Sequence, residues 1–173
     1  MASTSFAKKK KHYSNHRIAL VTPSKWLEEA TRASHLGQCA YHIERIGYPF
    51  PEIKPPIDRQ TAFQRLQITP TSKKLILIAA QNLSNRRKGT ALIVEALNMG
   101  MIPNCSILTI GEKISVINPE IRQLGFIKDP ELLRCAYTCA DVFCLPSLEE
   151  NLAQTGIESL SEGTPVVSFS NTG

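Results

Sequence analysis

Read for its alternation of apolar and polar positions, the chain falls into a polar opening, a short first strand–helix pair, a proline-rich break and a longer strand–helix series. Residues 1–17 are polar and basic and show no helical or strand period. Ile18–Thr22 is a short apolar run that predicts a buried strand, and Ser24 is placed to cap a helix beginning at Lys25 and ending near Leu36 and Gly37. Residues 47–57 then hold Gly47, Pro49, Pro51, Pro55 and Pro56. That density of proline removes backbone donors and fixes local angles, so it predicts a linker and a domain boundary.

Beyond the break the pattern becomes regular. Strands are predicted at Leu75–Ala80, Ser106–Ile110, Ile121–Ile127, Asp141–Leu145 and Pro165–Phe169. Helices are predicted over Lys88–Met99, from Asp129 and Pro130 through Cys139, and over Leu152–Glu162 with Gly163 as its stop. Nearly continuous apolar strands alternating with helices imply a Rossmann-like, doubly wound α/β fold, a parallel sheet covered on both faces. Three units are expected: residues 1–46, a linker at 47–72, and an α/β domain over 73–173. The series stops at Ser170–Gly173 directly after a strand and also starts abruptly, so both ends are expected to be cuts.

Composition narrows the class. No apolar run approaches the roughly 18 residues a membrane span needs, and no apolar stretch follows Lys8–Lys11 to form a secretory signal. The expected location is cytoplasmic. The formal charge of +5 suits an anionic ligand or weak attraction to an acidic membrane surface. No zinc-finger, helix-turn-helix or aromatic-strand pattern supports nucleic-acid binding, and a solvated basic helix face is the simpler reading of Lys8–Lys11. Five cysteines, at 39, 105, 135, 139 and 144, lack zinc-site spacing and are expected as reduced core residues, with no metal.

In parallel sheets ligands lie beyond the carboxyl ends of the strands, which points to loops 81–89, 111–120 and 146–152. Asn151 is placed to cap the next helix, whose open N–H groups at Leu152–Thr155 would suit a phosphate. Glu158, one turn further in, can accept from ribose hydroxyls, and Glu150 from those of a neighbouring sugar. The plainer reading of Glu149, Glu150 and Glu158 is that acids favour a helix N-terminus. In the loop from Gln81 and Asn82 to Gly89, Arg86, Arg87 and Lys88 can neutralise a diphosphate; cations before a helix oppose its dipole, which points to an anionic ligand. The plainer reading there is a charged surface turn.

Glu150 and Glu158 have seven residues between them, and Glu162-Gly163-Thr164-Pro165-Val166-Val167 follows. This resembles the Glu-x7-Glu signature of glycosyltransferase family 4 ("group 1"). Arg87-Lys88-Gly89 is similar to that family's Lys-Gly loop, Leu124–Phe126 and Ala140–Phe143 to its intervening strands, and Val21–Leu27 to the close of its N-terminal domain. The resemblance runs in order from Ile18 to Gly173. It implies the donor-binding half of a retaining enzyme of GT-B fold, transferring a sugar from a nucleotide-sugar donor to a glycan or lipid-linked acceptor without a metal or other cofactor. Glu150 and Lys88 would be catalytic, at the sugar and the leaving diphosphate respectively; Glu158 would hold the ribose. Asn151, Leu152, Thr155, Arg86, Arg87 and Asn82 would line the donor. Gln81-Asn82-Leu83 replaces the family's Gly-Arg-Leu, and Asn151-Leu152-Ala153 its Gly-Phe-Gly. A nucleotide-sugar-binding module without turnover and an unrelated doubly wound binding domain are the other readings. The second needs acids after the first strands, where this chain has Arg86, Arg87 and Lys88. The isolated chain is expected to lack transfer activity.

Overall fold

The computed structural model describes residues 2–14 and 16–170. The expected bare end at residues 171–173 lies outside the described residues. By contact the chain divides into two units: one runs to Pro49 and takes in Glu150–Leu152, and the other comprises Phe50–Glu149 and the residues from Ala153 on.

In the first unit, α1 (Ala2–Ser14) is a helix whose Lys8, Lys9 and Lys11 face solvent. It is followed by β1 (Ile18–Thr22), α2 (Lys25–Ala33), α3 (His35–Cys39) and β2 (Ala40–Arg45). β1 and β2 pair in parallel, closing a βαβ crossover. The Ser24 cap is present, its hydroxyl accepting from Leu27 N at 3.1 Å. The single helix expected to Gly37 is broken by Ser34, which is extended at ψ 158° and caps α3 through Gly37 N.

In the second unit, α4 (Arg59–Arg65) precedes β3 (Lys74–Ala80), α5 (Thr90–Asn98), β4 (Cys105–Gly111), β5 (Ile121–Gly125), α6 (Pro130–Cys139), β6 (Val142–Leu145), α7 (Gln154–Ser161) and β7 (Val166–Ser168). The five strands are all parallel, in the order β5-β4-β3-β6-β7. This is the doubly wound arrangement expected, with the order reversing between β3 and β6. Alternation along the strands explains it. Leu77, Ala79, Leu108 and Ile110 point to the α6 face, with Tyr137 and Phe143, whereas Ile76, Ile78 and Ile107 pack with Ile93 and Leu97 of α5. The central strands β3, β4 and β6 are mostly apolar because both their faces are covered, whereas the edge strand β5 carries Arg122 and Gln123.

The segment read as a linker holds α4, capped by Asp58, whose carboxylate accepts from Thr61 N at 2.9 Å. Ala62 and Phe63 of α4 bury against Cys135 and Cys139 of α6. All five cysteines are free thiols. Burial, with Cys135 adjacent, pushes the Cys139 thiol up to about 12, and burial raises Cys144 to about 11, so both are protonated at neutral pH. No described helix is long and apolar enough to cross a membrane.

Candidate functional site at the carboxyl ends of the strands

β3 ends in Ala80 and β4 in Gly111, their last residues paired in register. Gly111 sits at φ 125°, and a Cβ there would overlap the Ala80 carbonyl oxygen. The chain then crosses back, with Glu112 N donating to Gln81 O at 3.1 Å. Gln123 straps the loop after β4 down by donating to Ile114 O and accepting from Ile114 N.

The loop after β3 is anchored by Leu83, 2% exposed in the α5-side core. Asn85 then caps a single 3₁₀ turn, Arg86–Lys88, through Arg87 N, and α5 starts only at Thr90. The helix expected from Lys88 is therefore two residues shorter at its head, and the three cations lie on the turn before it. Arg86 and Arg87 are exposed, as are Gln81 and Asn82, while Lys88 is half-buried. Gly89 adopts φ 65°, and a side chain there would overlap the Pro146 carbonyl oxygen. Leu148 N also donates to Arg87 O at 2.8 Å. The cationic loop and the loop after β6 are thus fastened together across the reversal in strand order. Directly after them the Thr90 hydroxyl is buried and has no hydrogen-bond partner among the described residues.

The head of α7 differs from its expected form. The helix begins at Gln154, and its cap position is Ala153, with no side-chain cap. Asn151 does not cap it: within the first unit its Oδ1 accepts from Ser24 Oγ at 3.1 Å, and its N–H donates to Glu150 Oε1 at 3.2 Å. Helix geometry leaves Gln154 N and Thr155 N without intrahelical acceptors, so the open donors start two residues later than Leu152. Glu150, Asn151 and Leu152 group with the first unit.

Glu158 lies on the second turn of α7, as expected. Its Oε2 accepts from Tyr137 Oη at 2.8 Å. Burial, then the charge of Glu158 and this bond, push the Tyr137 pKa well above its ordinary value, so the hydroxyl is a fixed donor. Tyr137 was missed in the sequence, where it reads as one more apolar residue of α6. Its phenol carried the available signal, because a buried tyrosine hydroxyl generally has a partner.

Glu158, Tyr137 and Thr155 line a cavity of about 340 Å³ together with Ala80, Gln81, Gly111, Phe126 and Ile127. It lies at the carboxyl ends of β3 and β4. Another cavity, about 350 Å³, opens at the opposite ends of the strands. Most of its charges pair with one another, Lys73 with Glu120 and Arg59 and Lys74 with Asp141, while Arg122 donates to Gln67 O. Among the described residues no group of three or more His, Cys, Asp or Glu could hold a metal ion.

Residues 73–173 match the family model described as "Glycosyl transferases group 1". No curated protein matches the chain. Sucrose-phosphate synthase from Thermosynechococcus elongatus superposes with a TM-score of 0.73 at 21% identity, over 99% of this chain and 45% of that one. WaaG, a glycosyltransferase involved in lipopolysaccharide biosynthesis, gives 0.59 at 18% identity, over 89% and 44%. The pneumococcal O-GlcNAc transferase GtfA, solved with UDP and GlcNAc, gives 0.62 at 14%, over 88% and 30%. At these identities the likeness is one of fold, and the chain spans less than half the length of each of the three.

Proposed function

The chain belongs to the group 1 glycosyl transferases, and on that premise we propose that it binds a nucleotide-sugar donor for a transferase that retains anomeric configuration. The observation that carries this reading is the Glu158 carboxylate, held by Tyr137 in a cavity at the carboxyl ends of the strands, one turn after the open head of α7. Glu158 accepts the ribose hydroxyls. Thr155 N–H and the helix head receive the diphosphate, and Lys88, with Arg86 and Arg87, neutralises the charge that builds on it as the sugar leaves. Asn82 and the buried Thr90 hydroxyl supply further polar groups along this loop. Glu150 takes hydroxyls of the transferred sugar, beside the backbone of Asn151 and Leu152. The reading calls for no metal ion or other cofactor, and the acceptor is a hydroxyl of a glycan or lipid-linked glycan.

Isothermal titration with UDP, GDP, ADP and their glucose conjugates tests the donor site. Glu158→Ala and Lys88→Ala are each expected to weaken binding about tenfold or more, the scale of a lost hydrogen bond to a charged group. Unchanged affinity in both variants sinks the assignment. Transfer is measured separately, because the chain covers less than half of the enzymes it resembles. Donor binding without transfer supports a binding module; turnover by these 173 residues overturns the expectation that the isolated chain is inactive.

A further inference from the structure

Any role for Tyr137 in ligand binding rests on that of Glu158 as acceptor of the ribose hydroxyls. The Tyr137 side chain is 1% exposed and therefore locked. Its ring packs edge-on to Phe143 at 5.7 Å between centroids. The carbonyl of the same residue accepts from Thr164 Oγ1 at 2.8 Å and from Ala140 N at 3.0 Å, fixing the last turn of α6. The residue lines the cavity, and its hydroxyl donates to Glu158 Oε2.

An ionised carboxylate accepts only, through two oxygens. With Oε2 held by the tyrosine, Glu158 cannot turn freely, and Oε1 has no other hydrogen bond among the described residues. The phenol oxygen, its O–H donated to Glu158, keeps lone pairs that accept. Two acceptors on a rigid frame suit two adjacent hydroxyls, each of which brings a proton.

We propose that Tyr137 is the positioning and specificity residue of this site: it orients Glu158 so that the pair reads a vicinal diol, making the site selective for ribonucleotides over their 2′,3′-dideoxy counterparts. A ligand lacking both hydroxyls leaves these acceptors unpaired, and sites built to bond a hydroxyl reject analogues without it more strongly than an apolar pocket rejects a wrong shape. A tyrosine that served packing alone would affect both ligands equally.

The test is a pair of titrations of the 173-residue chain, with UDP and with 2′,3′-dideoxy-UDP, or the GDP or ADP pair if one of those binds more tightly. Wild type is expected to favour the ribonucleotide by about tenfold or more. Tyr137→Phe keeps the ring and removes the hydroxyl. It is expected to lose most of its ribonucleotide affinity, to bind the dideoxy form much as wild type does, and so to bring the ratio of the two affinities close to one. A ratio unchanged from wild type in folded Tyr137→Phe overturns the inference while leaving the donor reading intact, provided Glu158→Ala still weakens binding. Failure of all three nucleoside diphosphates to bind wild type overturns both. If Tyr137→Phe does not fold, Glu158→Gln decides. It preserves volume but turns one acceptor into a donor to the phenol oxygen, which then cannot also accept from the ligand, so a ratio close to one supports the inference and an unchanged one overturns it.

Discussion

Asp141 joins β3 to β6 at the amino ends of the strands through one side chain. Its Oδ2 accepts from Leu75 N at 2.8 Å and Arg59 at 2.9 Å, and its Oδ1 from Lys74 at 3.3 Å. Burial alone would raise its pKa, but the Leu75 N–H and the two cations outweigh it and hold the group below its ordinary 3.8. A carboxyl whose pKa is depressed in the folded state contributes stability that is complete above the unfolded pKa and vanishes as pH falls through the folded one. Melting temperature is therefore expected to drop steeply below about pH 4, with Asp58 and Glu131 titrating in the same direction. Asp141→Asn is expected to cost about 2 kcal/mol at pH 7 and to shrink the acid drop; thermal melts from pH 7 down to pH 2 check both, and parallel curves would acquit Asp141. Single residues were legible where their chemistry is rare at their place. Lys88 stood out because cations before a helix oppose its dipole, and Glu158 because its spacing from Glu150 resembles the family signature. Asp141 and Tyr137 did not, since their partners, Leu75 and Glu158, are set by strand order and helix packing rather than by spacing.

α7 opens without a side-chain cap, which is unusual for a helix whose first turn is accessible. Ala153→Asp would supply one. The variant is expected to raise stability by about 1 kcal/mol while weakening nucleoside diphosphate binding, because a carboxylate competes for the N–H groups proposed to meet the phosphates. Thermal melts and titrations on the same samples decide it; a rise in both stability and affinity would show that phosphate does not bind there. Local pattern placed this helix two residues early because asparagine is a strong cap, yet Asn151 is engaged by Ser24, a partner distant in sequence. β2 was missed for a different reason. Tyr41, His42, Glu44 and Arg45 are all exposed, so its register has little apolar signal to read. The prolines before α4 masked the cap that Asp58 and Thr61 form.

At the scale of the molecule, the doubly wound sheet was legible because the central strands β3, β4 and β6 are mostly apolar on both faces, as a sheet covered on both sides requires. The extent of the second unit was less so: Phe63 and Ala62 belong to its core, although they lie in the stretch that proline content marked as connecting chain. A chain shortened to begin at Lys73 should uncover Cys135 and Cys139 and unfold at markedly lower urea than one beginning at Phe50. Equal midpoints would show that α4 contributes nothing to that core. The reversal in strand order carries one further consequence, for the time course of folding. β3 meets β4 along its whole length, from Lys74 with Cys105 to Ala80 with Gly111, whereas it meets β6 at only two positions, Ile76 with Val142 and Leu77 with Phe143, after more than twice the intervening chain. Closing a longer loop for fewer contacts is the slower event. The β3–β6 seam should therefore zip last during refolding, so that the crevice opens for a ligand only when the sheet is otherwise complete.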